Sequence, residues 1–108
     1  MKTMAAGETI PMTKVEKFRD MWNSTHFVYI AGVSFEYAWL ETDENMVRPK
    51  HIEELKIRFS FSENTLYNFF LCVYGGNTPN MLNALLYWKP STVEGKIILD
   101  WIENQFWF

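Results

Sequence analysis

Two histidines, one cysteine and thirteen carboxylates are the groups in this 108-residue chain that could hold a metal or make and break bonds. Their spacing is unpromising for either task. Neither His26 nor His51 stands in an HxxxH or HExxH arrangement, the spacings that bring two imidazoles to one face of a helix. Within His51-Ile52-Glu53-Glu54 an imidazole and two carboxylates could approach a cation, but so polar a run reads more simply as a solvated turn. No metal and no cofactor is expected. Cys72 has no second cysteine to pair with and lies inside Phe69-Phe70-Leu71-Cys72-Val73. Apolar surroundings raise a thiol's pKa and hide it, so Cys72 is expected to be buried and inert. No nucleophile elbow, P-loop or dinucleotide fingerprint occurs, and no Lys/Ser/Thr phosphate signature accompanies Gly75-Gly76, which reads as a turn. Enzymatic chemistry is therefore not the expectation.

Recognition chemistry is richer. Aromatic residues make up 18% of the chain, and the last of them are Trp101, Phe106, Trp107 and Phe108. Each ring takes ~150–250 Å² out of water when buried, so a Phe-Trp-Phe run must dock into the core or meet another surface. On a helical wheel continued through the end, Trp107 falls in the polar arc. Trp107 and Phe108 are thus candidate protein-binding residues, with a terminus folded wholly back into the core as the competing reading. Glu41, Asp43 and Glu44 form a second candidate. An acidic loop can steer a basic partner surface into contact, although an ordinary solvated loop has the same composition.

Other partner classes fit less well. A net charge of −3 and a pI near 5.3 oppose phosphate-backbone binding as the main activity. Lys56 and Arg58 share a face of one segment, but Phe59 and Phe61 point the other way, so no basic and aromatic platform forms for stacked bases. No run approaches the ~18 apolar residues of a membrane span. Thr3 to Met12 carries Gly7, Glu8 and Pro11 where a secretory signal would be continuously apolar, so a cytoplasmic location is expected and the Asn23-Ser24-Thr25 acceptor pattern is read as chance. These features favour a non-enzymatic protein-binding module: a stoichiometric inhibitor, immunity or phage-type antagonist protein. The alternative is a small-ligand-binding protein or enzyme with an aromatic-lined pocket between sheet and helices. Homo-oligomerisation through the aromatic surface is compatible with both.

The elements that must position these groups suggest one α+β domain over residues 12–108, preceded by a mobile arm over 1–11. Thr13 and Glu16 make a capping box for a short helix with Val15, Phe18 and Trp22 on its inner face. His26 to Glu41 is β-rich and reads as paired strands around Gly32. Leu55, Ile57, Phe59 and Phe61 alternate with Glu54, Lys56, Arg58 and Ser60, which predicts a half-buried strand, and Ser62-Glu63-Asn64 a turn. Thr65 to Tyr74, apolar on both faces, reads as a central strand. Thr78 and Pro79 open one C-terminal helix, and a Ser91–Glu94 capping box opens a second, for which a strand over 96–102 is the alternative. The expected fold is an antiparallel sheet of about four strands with a short N-terminal helix and two C-terminal helices packed on one face.

Overall fold

The computed structural model describes residues 12–29, 31–43, 46–75, 84 and 86–108. The expected arm over 1–11 and most of the helix opened by Thr78 and Pro79 lie outside these residues, although Ala84, Leu86 and Tyr87 are helical.

Helix α1 runs from Lys14 to Asn23, set by the box at its start: Thr13 Oγ1 accepts the Glu16 amide at 3.1 Å, and the Glu16 carboxylate accepts the Thr13 amide at 3.1 Å. Val15, Phe18 and Trp22 are its buried face. Where a strand is expected from Phe27 onward, His26–Tyr29 is instead a single helical turn, α2, and Ile30 lies outside the described residues. The start of α2 is built locally. Thr25 Oγ1 donates to the Trp22 carbonyl at 2.7 Å and accepts the Phe27 amide at 3.3 Å, a side-chain turn that outweighs the β preference of Phe-Val-Tyr. Ser34 caps α3 (Phe35–Ala38), and the chain becomes extended at Trp39.

Strands β1 (Trp39–Asp43) and β2 (Met46–Pro49) pair antiparallel with Trp39 opposite Pro49 and Leu40 opposite Arg48, and the register slips between Glu41 and Asp43. This hairpin is the whole sheet among the described residues, so the four-stranded sheet is not present. Among the described residues the domain is helical with a single hairpin.

Two further strands expected from the sequence are helices. Ile52–Arg58 forms α4 and Phe61–Gly75 forms α5. In the alternating stretch Leu55 and Phe59 are buried at 0% and 5% exposure, whereas Ile57 and Phe61 are 86% and 71% exposed. The buried pair is spaced i, i+4, the helical repeat; the other two apolar side chains face out. Ser60 breaks the helix and starts the next with a reciprocal box: its amide donates to Glu63 Oε1 at 2.8 Å and its hydroxyl accepts the Glu63 amide at 3.2 Å. The expected turn at Ser62-Glu63-Asn64 is thus the first turn of α5.

Helix α5 is apolar around most of its circumference because it is the centre of the molecule. Leu66, Tyr67, Phe69, Phe70, Cys72 and Val73 are all buried on it. A fully buried strand and a fully buried helix carry the same composition. Around α5 sit Phe18, Trp22, Phe27, Phe35 and Trp39, none more than 1% exposed. Their rings meet mostly edge to face, with Phe18 to Trp39 at 4.7 Å and Trp22 to Phe70 at 5.1 Å between centroids. The last helix, α6 (Val93–Glu103), resolves the helix-or-strand alternative in favour of helix. Its cap lies one residue later than expected: Thr92 Oγ1 accepts the Gly95 amide at 2.9 Å, which leaves Glu94 available for a different partner.

Candidate functional site

The residues that the sequence marks for binding are held at two separate places. Glu41 is ion-paired with Arg19 of α1, and the Arg19 guanidinium lies over the Phe35 ring, 5.5 Å from its centroid. The carboxylate therefore ties the hairpin to α1. Asp43 is at the end of β1, and Glu44 lies outside the described residues. At the C-terminus α6 stops at Glu103, so Trp107 is not carried onto the polar arc of a helix. Its ring packs edge-on against Trp101 at 4.9 Å, and the Phe108 ring does the same against Phe18 at 5.1 Å. Both rings are partly buried against the core and partly exposed. At the other sequence candidate, His51 is exposed and stacks on Tyr37 at 4.5 Å, while the Tyr37 hydroxyl donates to the Glu54 carboxylate. That bond, more than burial, raises the Tyr37 pKa.

A face that the sequence analysis did not single out is more exposed than either. Phe61, at the start of α5, and Tyr87 meet in open solvent with centroids 5.1 Å apart, at 71% and 49% exposure. Leu86, next to Tyr87, is 74% exposed, and Ile57 on α4 is 86% exposed. Large apolar rings paired in this way on a surface, as Phe61 and Tyr87 are, are characteristic of contact sites. Two long-range contacts, one polar and one between rings, hold the neighbouring segment. Trp88 Nε1 donates to the Ser62 carbonyl at 2.9 Å, and the Trp88 ring covers His26 at 5.0 Å.

His26 itself bridges two carboxylates. Its Nε2 lies 2.9 Å from Glu63 Oε2, and its backbone amide donates to Glu94 Oε2 at 3.1 Å, with Nδ1 3.6 Å from the same oxygen. An ionised carboxylate only accepts, so Nε2 is the donor toward Glu63. Burial of Glu63 pushes its pKa up, but the Ser60 amide and hydroxyl and the His26 ring outweigh it, and the net shift is downward. No hydroxyl bonds to His26, and no group of three metal-binding side chains occurs among the described residues. The cluster joins α2, α5 and α6 beneath Trp88.

The downward shift has a measurable consequence. A carboxylate whose pKa is lowered by folding stabilises the fold above its unfolded-state value, and the contribution is lost as the pH falls through the folded value. Glu63→Gln is expected to lower the melting temperature at neutral pH, and the gap to wild type should close below the ordinary carboxylate pKa of 4.5. A gap that persists unchanged at pH 3 would assign the loss to packing instead of charge.

Deeper in the core, Tyr67 is fully buried and its hydroxyl has no hydrogen-bond partner; burial pushes its pKa up to about 12. It is a neutral part of the aromatic cluster.

One cleft of about 330 Å³ opens at the surface, between α1 and α6 and not between sheet and helices. Its two walls have the same spacing. Lys17, Asp20, Met21 and Ser24 line it from α1 at i, i+3, i+4 and i+7. Ile97, Asp100, Trp101 and Asn104 line it from α6 at the same intervals. Met12 and Phe106 close its ends. Across the whole chain, no family model, no curated protein and no solved structure matches.

Proposed function

We propose that this chain is a non-enzymatic protein-binding module that acts stoichiometrically, as an inhibitor, immunity or phage-type antagonist protein does, by occupying a surface of its partner. The observation that supports this reading best is the solvent-facing pair Phe61 and Tyr87 with Leu86 beside it, large apolar side chains that fill no part of the domain's own core. Paired rings on a rigid backbone are the usual anchors of an interface centre, where a few residues carry most of the binding energy. The support for a role without catalysis is that the three groups best placed for acid–base work, His26, Glu63 and Glu94, are engaged in joining helices. The acidic hairpin and the net charge of −3 favour a partner with a basic surface, met in the cytoplasm. No helix among the described residues is long and apolar enough to cross a membrane.

Affinity capture from the native host, with wild type and Phe61→Asp side by side, tests the reading. Phe61 is the residue after the Ser60 cap, where an added negative charge suits the helix dipole, so folding is expected to be unchanged. Loss of an aromatic anchor at an interface weakens binding by ~1–3 kcal/mol, or roughly 5- to 150-fold. The wild-type chain should retain one stoichiometric protein that the variant releases. If the captured protein binds both equally, the Phe61 face is not the interface. A wild-type dimer in sedimentation that Phe61→Asp makes monomeric identifies a second copy of the chain as the partner.

A further inference from the structure

We propose that the cleft between α1 and α6 is a binding site for an organic cation, a guanidinium or ammonium group carried on an apolar stem. The site is separate from the Phe61 face, and the proposal does not depend on the protein-binding reading. Two carboxylates, Asp20 and Asp100, occupy the equivalent position in the two facing stripes. Both are exposed, and among the described residues neither side chain has an ion pair or accepts a hydrogen bond; only their backbone carbonyls are used, by Ser24 and Asn104. Two carboxylates against the single ammonium of Lys17 leave the cleft with an excess of negative charge. Between them the surface is apolar and adaptable, formed by Met21, Ile97, Trp101 and Phe106.

The cleft already attracts a cation. Lys17 Nζ stands over the Phe106 ring, 5.7 Å from its centroid, without closing an ion pair to either aspartate. Ring faces attract ammonium and guanidinium groups. A guanidinium entering from solvent would find what Lys17 does not reach: carboxylates on both walls, matched by donors on both edges of its planar fork. A volume of about 330 Å³ suits an alkyl chain with one such head group.

The test titrates the full chain with hexylguanidinium, followed by amide and indole NMR resonances. Saturable shifts confined to both stripes and to the Trp101 indole are expected, with a dissociation constant of about a millimolar or tighter. Asp20→Asn and Asp100→Asn should each weaken binding several-fold while melting like wild type. Lys17→Gln, which removes the resident cation, should strengthen it. Hexanoate and hexanol, of equal chain length, should not compete. The source of the cation is read from a parallel titration. Equal affinity for arginine capped at both ends points to an arginine side chain of a protein, and a marked preference for hexylguanidinium points to a small molecule. No saturable shift, shifts located outside the two stripes, or equal binding of hexanoate overturns the proposal.

Discussion

Trp22→Ala is expected to be the most damaging single substitution in this chain, removing most of its stability at 25 °C. The Trp22 side chain is fully buried, stacks on Phe27 at 4.6 Å, and meets Trp39, Tyr67 and Phe70 edge-on. Its indole also donates to the Val33 carbonyl at 3.0 Å, which holds the loop after α2 against α1. Removing the ring costs ~3–5 kcal/mol through lost burial and an unfilled cavity. The Val33 carbonyl left without its donor costs ~1–3 kcal/mol more if it stays dry. Set against the ~5–15 kcal/mol that holds a domain of this size together, the sum takes most of the margin. Trp22→Phe separates the two effects, because it keeps an aromatic ring and loses only the N–H and part of the volume. Urea titrations followed by near-UV circular dichroism measure both. A Trp22→Ala protein with a midpoint near that of wild type would mean that the ring cluster around Phe70 holds without its centre.

What could be read from the sequence and what could not divides along a physical line. Both terminal helices were legible because each carries its own signals. Thr13 and Glu16 cap α1 from within three residues, and Val15, Phe18 and Trp22 repeat at the helical period on a single buried face. Likewise Ile98 and Trp101 are buried in α6 as its wheel suggests, although Ile102 is 38% exposed. The middle of the chain was misread because its apolar residues do not sit on one side. Leu55, Ile57, Phe59 and Phe61 alternate as a strand would, but only Leu55 and Phe59 face the core. The decisive local sign was Ser60-x-x-Glu63, a capping box embedded in that alternation, and a cap states where a helix begins more firmly than apolar spacing states what lies around it. Helix α5 offered no such contrast. Surrounded by Phe18, Trp22, Phe27 and Trp101, it has almost no wet side to mark its period.

The candidate surfaces were harder still to read, because they arise from pairs remote in sequence. Phe61 and Tyr87 meet only once α5 and the segment before α6 are packed, and Glu94 reaches the His26 amide across 68 positions. The alternation of Leu55, Ile57, Phe59 and Phe61 places Phe61 in the core, so nothing in the sequence marks it as a surface residue. Glu94 was assigned to capping, and it is the shift of the cap to Thr92 that lets it turn toward His26. The acidic hairpin shows the reverse: Glu41 was legible as charge, while its ion pair with Arg19 depended on how α1 and the hairpin pack.

Gly95→Ala carries the second large expectation, and its sign is the informative part. Gly95 lies in the first turn of α6, where propensity alone favours alanine by ~1 kcal/mol. The structure reverses that preference. A Cβ built on Gly95 would stand 1.9 Å from the Lys89 carbonyl oxygen, 2.5 Å from the Lys89 carbonyl carbon and 2.8 Å from the Trp88 carbonyl oxygen. These are backbone atoms, so no side chain can swing aside. Either the 88–89 segment retreats or the Gly95 amide leaves Thr92 Oγ1 and the cap opens. Inserting a methyl group into a packed contact costs ~1–3 kcal/mol when the surroundings can adjust, and more when they are backbone. The displaced segment also carries Trp88, which anchors Ser62 and covers His26, and Tyr87, the partner of Phe61. Gly95→Ala should therefore melt well below wild type and shift the Phe61 and Tyr87 ring resonances together, although neither ring touches the mutated residue. Loss of the Phe61–Tyr87 contact in a chain that still folds should weaken partner capture as Phe61→Asp does. A Gly95→Ala protein that melts above wild type, with both ring resonances unmoved, would show that helix propensity governs this position and that the close approach of Lys89 is not required by the fold.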